Sequence, residues 1–383
     1  MNRAVVAGSL AQRAHHGGHA WVFLQYLLGL KRLGWDVLFL DRLEPEMCVD
    51  GIGGPTTADD SVNLRYVAAV MGDFGLDDSY AVLCSESQAF GRSLADVRRH
   101  VQGALLLNVM GFLDDAAIVD AASVRVFLDI DPGFGQMWRV LGLADIFGQH
   151  DHFVTIGQNV GRPGCAVPAC GIDWITTCPP VVLDEWPAGP PRPQGAVTSV
   201  ASWRGPFGPV AYEGTTYGLR VHEFRKFMEL PRRTGERFQL ALDIHEAETD
   251  DLAALARNGW ELTDPRPAAG DPKSYRRFIG ESRAELMVAK NLYVKTGSGW
   301  FSDRSACYLA SGRPVIAQDT GWTGHHPPGK GLLAFSTVEE AVAAVQDVAA
   351  DYEAHCRAAR LLAEEQFDSD KVLTRLLEEV GAW

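Results

Sequence analysis

Residues 15 to 19 read HHGGH, three histidines in five positions, and AW follows. His19 stands between a strand-like run ending at Gly8 and the first run of helical periodicity. A neutral imidazole at such a loop suits the removal of a proton from a hydroxyl near pH 7. The positive end of the helix dipole would favour the neutral form. His15, His16 and His19 equally suit helix capping or solvent, so position alone leaves both roles open. No carboxylate lies nearby to complete a ligand set, and metal ligation is not expected. A second group lies in FLDIDPGFGQMW, residues 127 to 138. Asp129 and Asp131 stand two positions apart at a strand end. One of them is expected to reach a cleft and orient His19 by accepting its ring N–H, as in a triad without a serine. Asp131 is the choice by its nearness to the strand end, although Asp-Pro-Gly is also a turn sequence.

Two further stretches offer groups for an anion. SWRGPFGPVAYEGTTYGLR, residues 202 to 220, places Arg204 and Arg220 where both could face a diphosphate. Gly218 would permit close backbone approach, and Trp203 would stack on a base or belong to the core. YVKTGSGWFSDRSACYLASGRPVIAQDTGW, residues 293 to 322, contains two glycine-hydroxyl turns. Backbone N–H groups at Ser298, Gly299 and Trp300 are expected to cradle phosphate, helped by a helix starting near Ser302. Arg304 falls in that helix's first turn, where a cation opposes the dipole. A nearby anion would account for it. Asp303 is a weaker candidate. Thr320 and Gly321, in the second turn, are expected to approach the same ligand.

Alternating elements position these loops. RAVVAG, WDVLFLD, YAVLCS, ALLLNVMG, RVFLDID and HFVTIG read as strands separated by helical or polar stretches, and AWVFLQYLLGLKRLG as the first helix. This predicts a mainly parallel sheet covered on both faces. PPVVLDEWPAGPPRPQG, residues 179 to 195, reads as an exposed linker. Beyond it AVTSVAS, FQLALDI, NLYVKT and PVIAQDT read as strands, and YRRFIGESRAELMVAK, SDRSACYLASG and the C-terminal stretches as helices. The fold class is therefore α/β, with two Rossmann-like, doubly wound domains facing a cleft. Their expected bounds are 1–183 and 197–365, joined by a linker at 184–196, with a terminal helix at 366–383 packing back on the first.

The chain has 383 residues, 46% hydrophobic and 22% charged, with a net charge of −14. That balance argues against a nucleic-acid or anionic-membrane binder. There is no signal-peptide pattern and no apolar run long enough to span a membrane. Seven scattered cysteines suit reduced thiols, and a cytoplasmic location is expected. AGSLAQ after the first strand lacks GxGxxG spacing, and no Walker A motif occurs.

With these residues in view, the chain resembles the GT-B glycosyltransferases. GGHAWVFLQYLLGLKRLGWDVLFLD looks like their opening helix, in whose inverting, natural-product members a "GH" histidine is the catalytic base; the matching residue is His19. YLASGRPVIAQDTG is similar to their nucleotide-sugar segment, where Gln318 and Asp319 fall near the residues that hold sugar hydroxyls in many inverting members, and Trp203-Arg204 with Gly218-Leu219-Arg220 loosely match an early second-domain motif. The chain departs from the retaining branch, since Cys307 stands at one expected glutamate and no glutamate matches the other. The resemblance implies a hexosyltransferase-like enzyme with an acceptor-binding first domain and a nucleotide-sugar-binding second domain. It implies inverting, metal-independent transfer from a nucleoside-diphosphate sugar co-substrate to a small-molecule acceptor. No other cofactor is implied, and a homodimer is left open. Trp21, Phe23, Phe134 and Trp138 hint at an apolar acceptor or at core. A sugar-nucleotide epimerase and a non-catalytic two-lobe binding protein stay open as alternatives.

Overall fold

A computed structural model describes residues 2–85, 88–205 and 207–383. The first lobe is built on eight strands: β1 Arg3–Gly8, β2 Asp36–Arg42, β3 Tyr80–Leu83, β4 Ala89–Gly91, β5 Leu105–Val109, β6 Val124–Asp129, β7 His152–Thr155 and β8 Trp174–Thr176. They form one sheet in the order β4-β3-β2-β1-β5-β6-β7-β8, parallel except for β3 with β4. Along β1, Ala4 and Val6 enter one hydrophobic cluster while Val5 and Ala7 enter another. Both faces are therefore covered, which is why the strand reads as continuously apolar rather than alternating.

The second lobe follows with β9 Val197–Ser202, β10 Val210–Tyr212, β11 Thr215–Tyr217, β12 Phe238–Asp243, β13 Trp260–Thr263, β14 Ala284–Met287, β15 Val315–Gln318 and β16 Leu332–Phe335. Six of these make a second sheet, ordered β13-β12-β9-β14-β15-β16, and β10 with β11 forms a separate hairpin. In both sheets the first strand of the lobe sits between strands reached in opposite directions. The crevice outside the carboxyl ends of such strands is where open α/β sheets take ligands.

The structure corrects three sequence expectations. YRRFIGESRAELMVAK is not one helix: Pro272–Glu281 is helical, Ser282 ends it, and β14 follows. A short apolar run does not distinguish buried helix from buried strand by periodicity. NLYVKT is a helix, Asn291–Thr296, closed by Gly297 at φ 59°. A left-handed glycine cap outweighs the strand preference of its Tyr and Val. The stretch expected as exposed linker begins inside the protein. Trp186 is fully buried, its ring 4.8 Å from that of Trp21, and only 187–194 is continuously exposed.

The last helix, Ser369–Glu379, has Asp368 as its N-cap, and Arg32 Nε of the first helix, Gly17–Arg32, bonds Asp370 Oδ1 at 3.1 Å. Among the described residues no helix is long and apolar enough to cross a membrane.

Candidate functional site

Between the lobes lies a cleft of about 1050 Å³. Loops after β1, β5 and β6 form one wall; loops after β9, β12, β13 and β14, with the helix Asp303–Ala310, form the other. Its lining contains six basic and four acidic side chains.

His19 lines this cleft. Its Nε2 lies 3.0 Å from Ser9 Oγ and 3.2 Å from the Ser9 carbonyl oxygen. A proton on Nε2 satisfies that carbonyl and leaves the Nδ1 lone pair open. Burial, and then the charge of Arg13, push the imidazole pKa down to about 3, so the ring is neutral at physiological pH. The expected aspartate partner is a correction. Asp129 is 1% exposed and is held by Gln136 Nε2 at 2.7 Å and Thr155 Oγ1 at 2.9 Å. It also accepts the Asp131 backbone N–H at 3.1 Å, so it shapes the turn after β6. Burial pushes its carboxyl up to about 6. Asp131 does line the cleft, but its partners are Lys290 and Tyr293 of the second lobe. Ser9, not an aspartate, orients His19.

The anion-binding groups also differ from expectation. Arg304 Nε pairs with the fully buried Glu285 at 2.5 Å, and its Nη1 donates to the Val200 carbonyl at 2.8 Å. Its Nη2 is buried without a hydrogen-bond partner among the described residues, as is Glu285 Oε2. Arg220 also lines the cleft and donates to the Val288 carbonyl at 2.6 Å. Burial, then the nearby Arg304 charge, lower its pKa to about 10. Two guanidinium groups sharing one concavity favour an anion between them. Arg204 reaches the rim, in an exposed pair with Glu248. Ser302 and Asp303 line the cleft beside Arg304, and burial raises the Asp303 carboxyl pKa while Arg304 opposes it.

The two glycine-hydroxyl turns do not cradle anything there. The N–H of Ser298 donates to the Tyr293 carbonyl, that of Gly299 to Thr320 and that of Trp300 to Ser298 Oγ. Thr320 Oγ1 returns a bond of 2.6 Å to the Trp300 carbonyl. Asn159 of the first lobe then ties both turns together. Its Nδ2 donates to Gly297 O at 2.9 Å and to Gly321 O at 3.3 Å, and its N–H donates to Ser298 O at 3.0 Å. The turns therefore converge, as their spacing suggested, but on a seam between lobes. Of the residues of the two turns only Trp300 lines the cleft, with its indole N–H buried and without a partner among the described residues.

Gln318 bonds Glu223 at 2.6 Å and the Ala289 N–H at 3.1 Å, while Asp319 caps Gly321 and Thr323. Trp203 is a core residue, 1% exposed, donating to Asp251 at 2.8 Å. Gly218 packs against the Asn291 turn, where a Cβ would lie 2.7 Å from His222 Nδ1.

Sequence reasoning missed Lys290, because β14 and the residues after it were read as helix, and Tyr293, because NLYVKT was read as a strand. A short apolar run followed by a lysine, AELMVAK, was the available signal. It also missed Phe207, whose ring lies 4.9 Å from Trp138 and 5.9 Å from Phe134 across the cleft. With Met110, Phe112 and Ile146 these rings make an apolar wall.

This arrangement is the GT-B fold: two Rossmann-like lobes, each wound on both faces of a mainly parallel sheet, with a cleft between them. Among solved structures, the chain is similar to an alpha-glucosyltransferase in complex with UDP, at TM-score 0.58 and 10% identity over 100% of both chains. It is similar to HepE of Anabaena in complex with UDP, at TM-score 0.57 and 12% identity over 100% of both chains. It is also similar to AviGT4, a glycosyltransferase involved in avilamycin A biosynthesis, at TM-score 0.52 and 12% identity over 99% and 97% of the two chains. The chain matches no known protein-family profile, and no curated protein matches it in sequence.

Proposed function

We propose that the protein is a glycosyltransferase that moves a sugar from a nucleoside diphosphate to a small-molecule acceptor, with inversion and without a metal. The observation that carries this reading is the buried, unpartnered Nη2 of Arg304 beside Arg220 in the interlobe cleft. A buried polar group without a partner costs free energy that a ligand oxygen would recover. A diphosphate supplies such oxygens with the matching charge. The UDP in the alpha-glucosyltransferase and HepE structures supports the same class of donor.

On this reading the acceptor lies on the apolar wall of Phe134, Trp138 and Phe207, and an apolar or aromatic acceptor suits it best. Its hydroxyl oxygen bonds to the anomeric carbon as the bond from that carbon to the phosphate oxygen breaks. The nucleoside diphosphate leaves with the electron pair, and Arg220, Arg304 and Lys290 stabilise the charge. His19 Nδ1 takes the hydroxyl proton. A low pKa makes it a weak base, so the proton moves only as the hydroxyl acidifies during bond formation.

The test is calorimetry of the whole protein with UDP, TDP, GDP and ADP, followed by sugar transfer. At least one nucleotide should bind, and at a concentration about 100 times its Kd it should stabilise the protein by about 2.7 kcal/mol. Arg304→Met should abolish that binding. His19→Ala should leave it intact and lower transfer by roughly two to four orders of magnitude. Absence of binding by all four nucleotides would overturn the reading.

A further inference from the structure

Asp131 belongs to the first lobe, and its carboxylate is held by side chains of the second. Its Oδ2 accepts from Lys290 Nζ at 2.5 Å, and its Oδ1 accepts from the Tyr293 hydroxyl. The ion pair is neither open nor sealed, with side chains 23% and 25% exposed. All three residues line the cleft. The ammonium also lies over two rings, 5.5 Å from the centre of Phe134 and 5.2 Å from that of Tyr293, which fixes its position. Arg220 is close enough to feel both Arg304 and Asp131. A carboxylate gripped by an ammonium and a phenol, with guanidinium groups nearby, has the charge and acceptor geometry of two phosphate oxygens.

We propose that Asp131 is an internal competitor for the diphosphate: the nucleotide takes Lys290 from Asp131 on entry, and Asp131 takes it back as the product leaves. This rests on the donor reading above. The exchange has a chemical reason. Breaking the bond from the anomeric carbon to the phosphate oxygen leaves the nucleoside diphosphate with an additional negative charge, so cationic groups hold product more tightly than donor. Release of product limits many transfer reactions. A carboxylate tethered beside Lys290 competes at a high effective concentration and opposes that retention. Asp131 is thus a positioning residue acting through Lys290, and not a partner of His19.

The test compares the full chain with Asp131→Asn, Lys290→Met and the double variant. Asparagine keeps an oxygen for the Tyr293 hydroxyl, and Asp131→Ala serves as a second replacement if the first melts early. Calorimetry with UDP, TDP, GDP and ADP reads affinity, and stopped-flow displacement reads dissociation. The nucleotide that binds best should bind Asp131→Asn roughly tenfold tighter, through slower dissociation. It should bind Lys290→Met roughly tenfold weaker. In the Lys290→Met background, Asp131→Asn should change affinity by less than about twofold, since the competed group is gone.

Equal or weaker binding by Asp131→Asn would overturn the proposal and leave the donor reading standing. A gain of the same size with and without Lys290 would reduce Asp131 to a general charge effect and also overturn it. No binding to any of the four proteins would overturn both.

Discussion

Arg304 shows how a residue can be found for an incomplete reason. A cation in the first turn of a helix opposes the dipole, and the sequence argument resolved this with an anionic ligand. The structure supplies an anion of the protein's own, Glu285, 2.5 Å away on the neighbouring strand β14. That strand was hidden in what read as helix, so the pairing was invisible. What remains for a ligand is one N–H pair on Nη2. The two roles separate by mutation. Arg304→Met leaves the Glu285 carboxylate buried and unpaired, which should cost about 3–5 kcal/mol in denaturant unfolding. Adding Glu285→Leu should recover most of that loss, while nucleotide binding stays weak in both variants. Recovery of binding by the double variant would show that Arg304 serves the fold alone.

At the scale of elements, the glycines before His19 have a job that the chemistry of the loop concealed. A Cβ on Gly17 would press into the backbone oxygen of Asp271 and lie 2.7 Å from that of Ala269, both in the second lobe. The first helix thus begins against the facing lobe, where Trp21 Nε1 also donates to the Pro272 carbonyl at 2.9 Å. On the same helix, the atoms nearest a Cβ on Gly29 would be the tip of Leu373 and then the Cβ and Oγ of Ser369. Alanine in place of glycine gains about 1 kcal/mol of helix propensity. At position 29 the flexible Leu373 tip can move, so Gly29→Ala should change stability by no more than about 1 kcal/mol. At position 17 the obstacle is backbone, and overpacking of about 1–3 kcal/mol should win. Thermal unfolding of the two variants checks the contrast.

The same scale explains what was legible. Strands flanked by glycine loops and amphipathic helices were readable because burial on both faces makes them continuously apolar. Helix Asn291–Thr296 was not readable, because its cap decided against its side chains.

For the whole molecule, alternation of strands and helices was enough to anticipate two facing lobes. The contacts that join them were not, since Asn159 meets carbonyls 138 and 162 residues further on. No local pattern encodes such a seam. The lobes enclose a cleft with six basic and four acidic side chains, inside a protein of net charge −14. On the proposed reading, an anionic donor would approach against the field of the whole and be captured by the field of a part. Ions separate the two by range. The screening length falls from about 30 Å at 0.01 M to about 8 Å at 0.15 M, so distant repulsion fades while groups in contact are little affected. The association rate of a bound nucleotide should therefore rise over that interval of added salt, and stopped-flow mixing at graded ionic strength measures it. Where the field of the whole protein attracts a ligand, added salt slows its entry; here salt up to about 0.15 M should speed it.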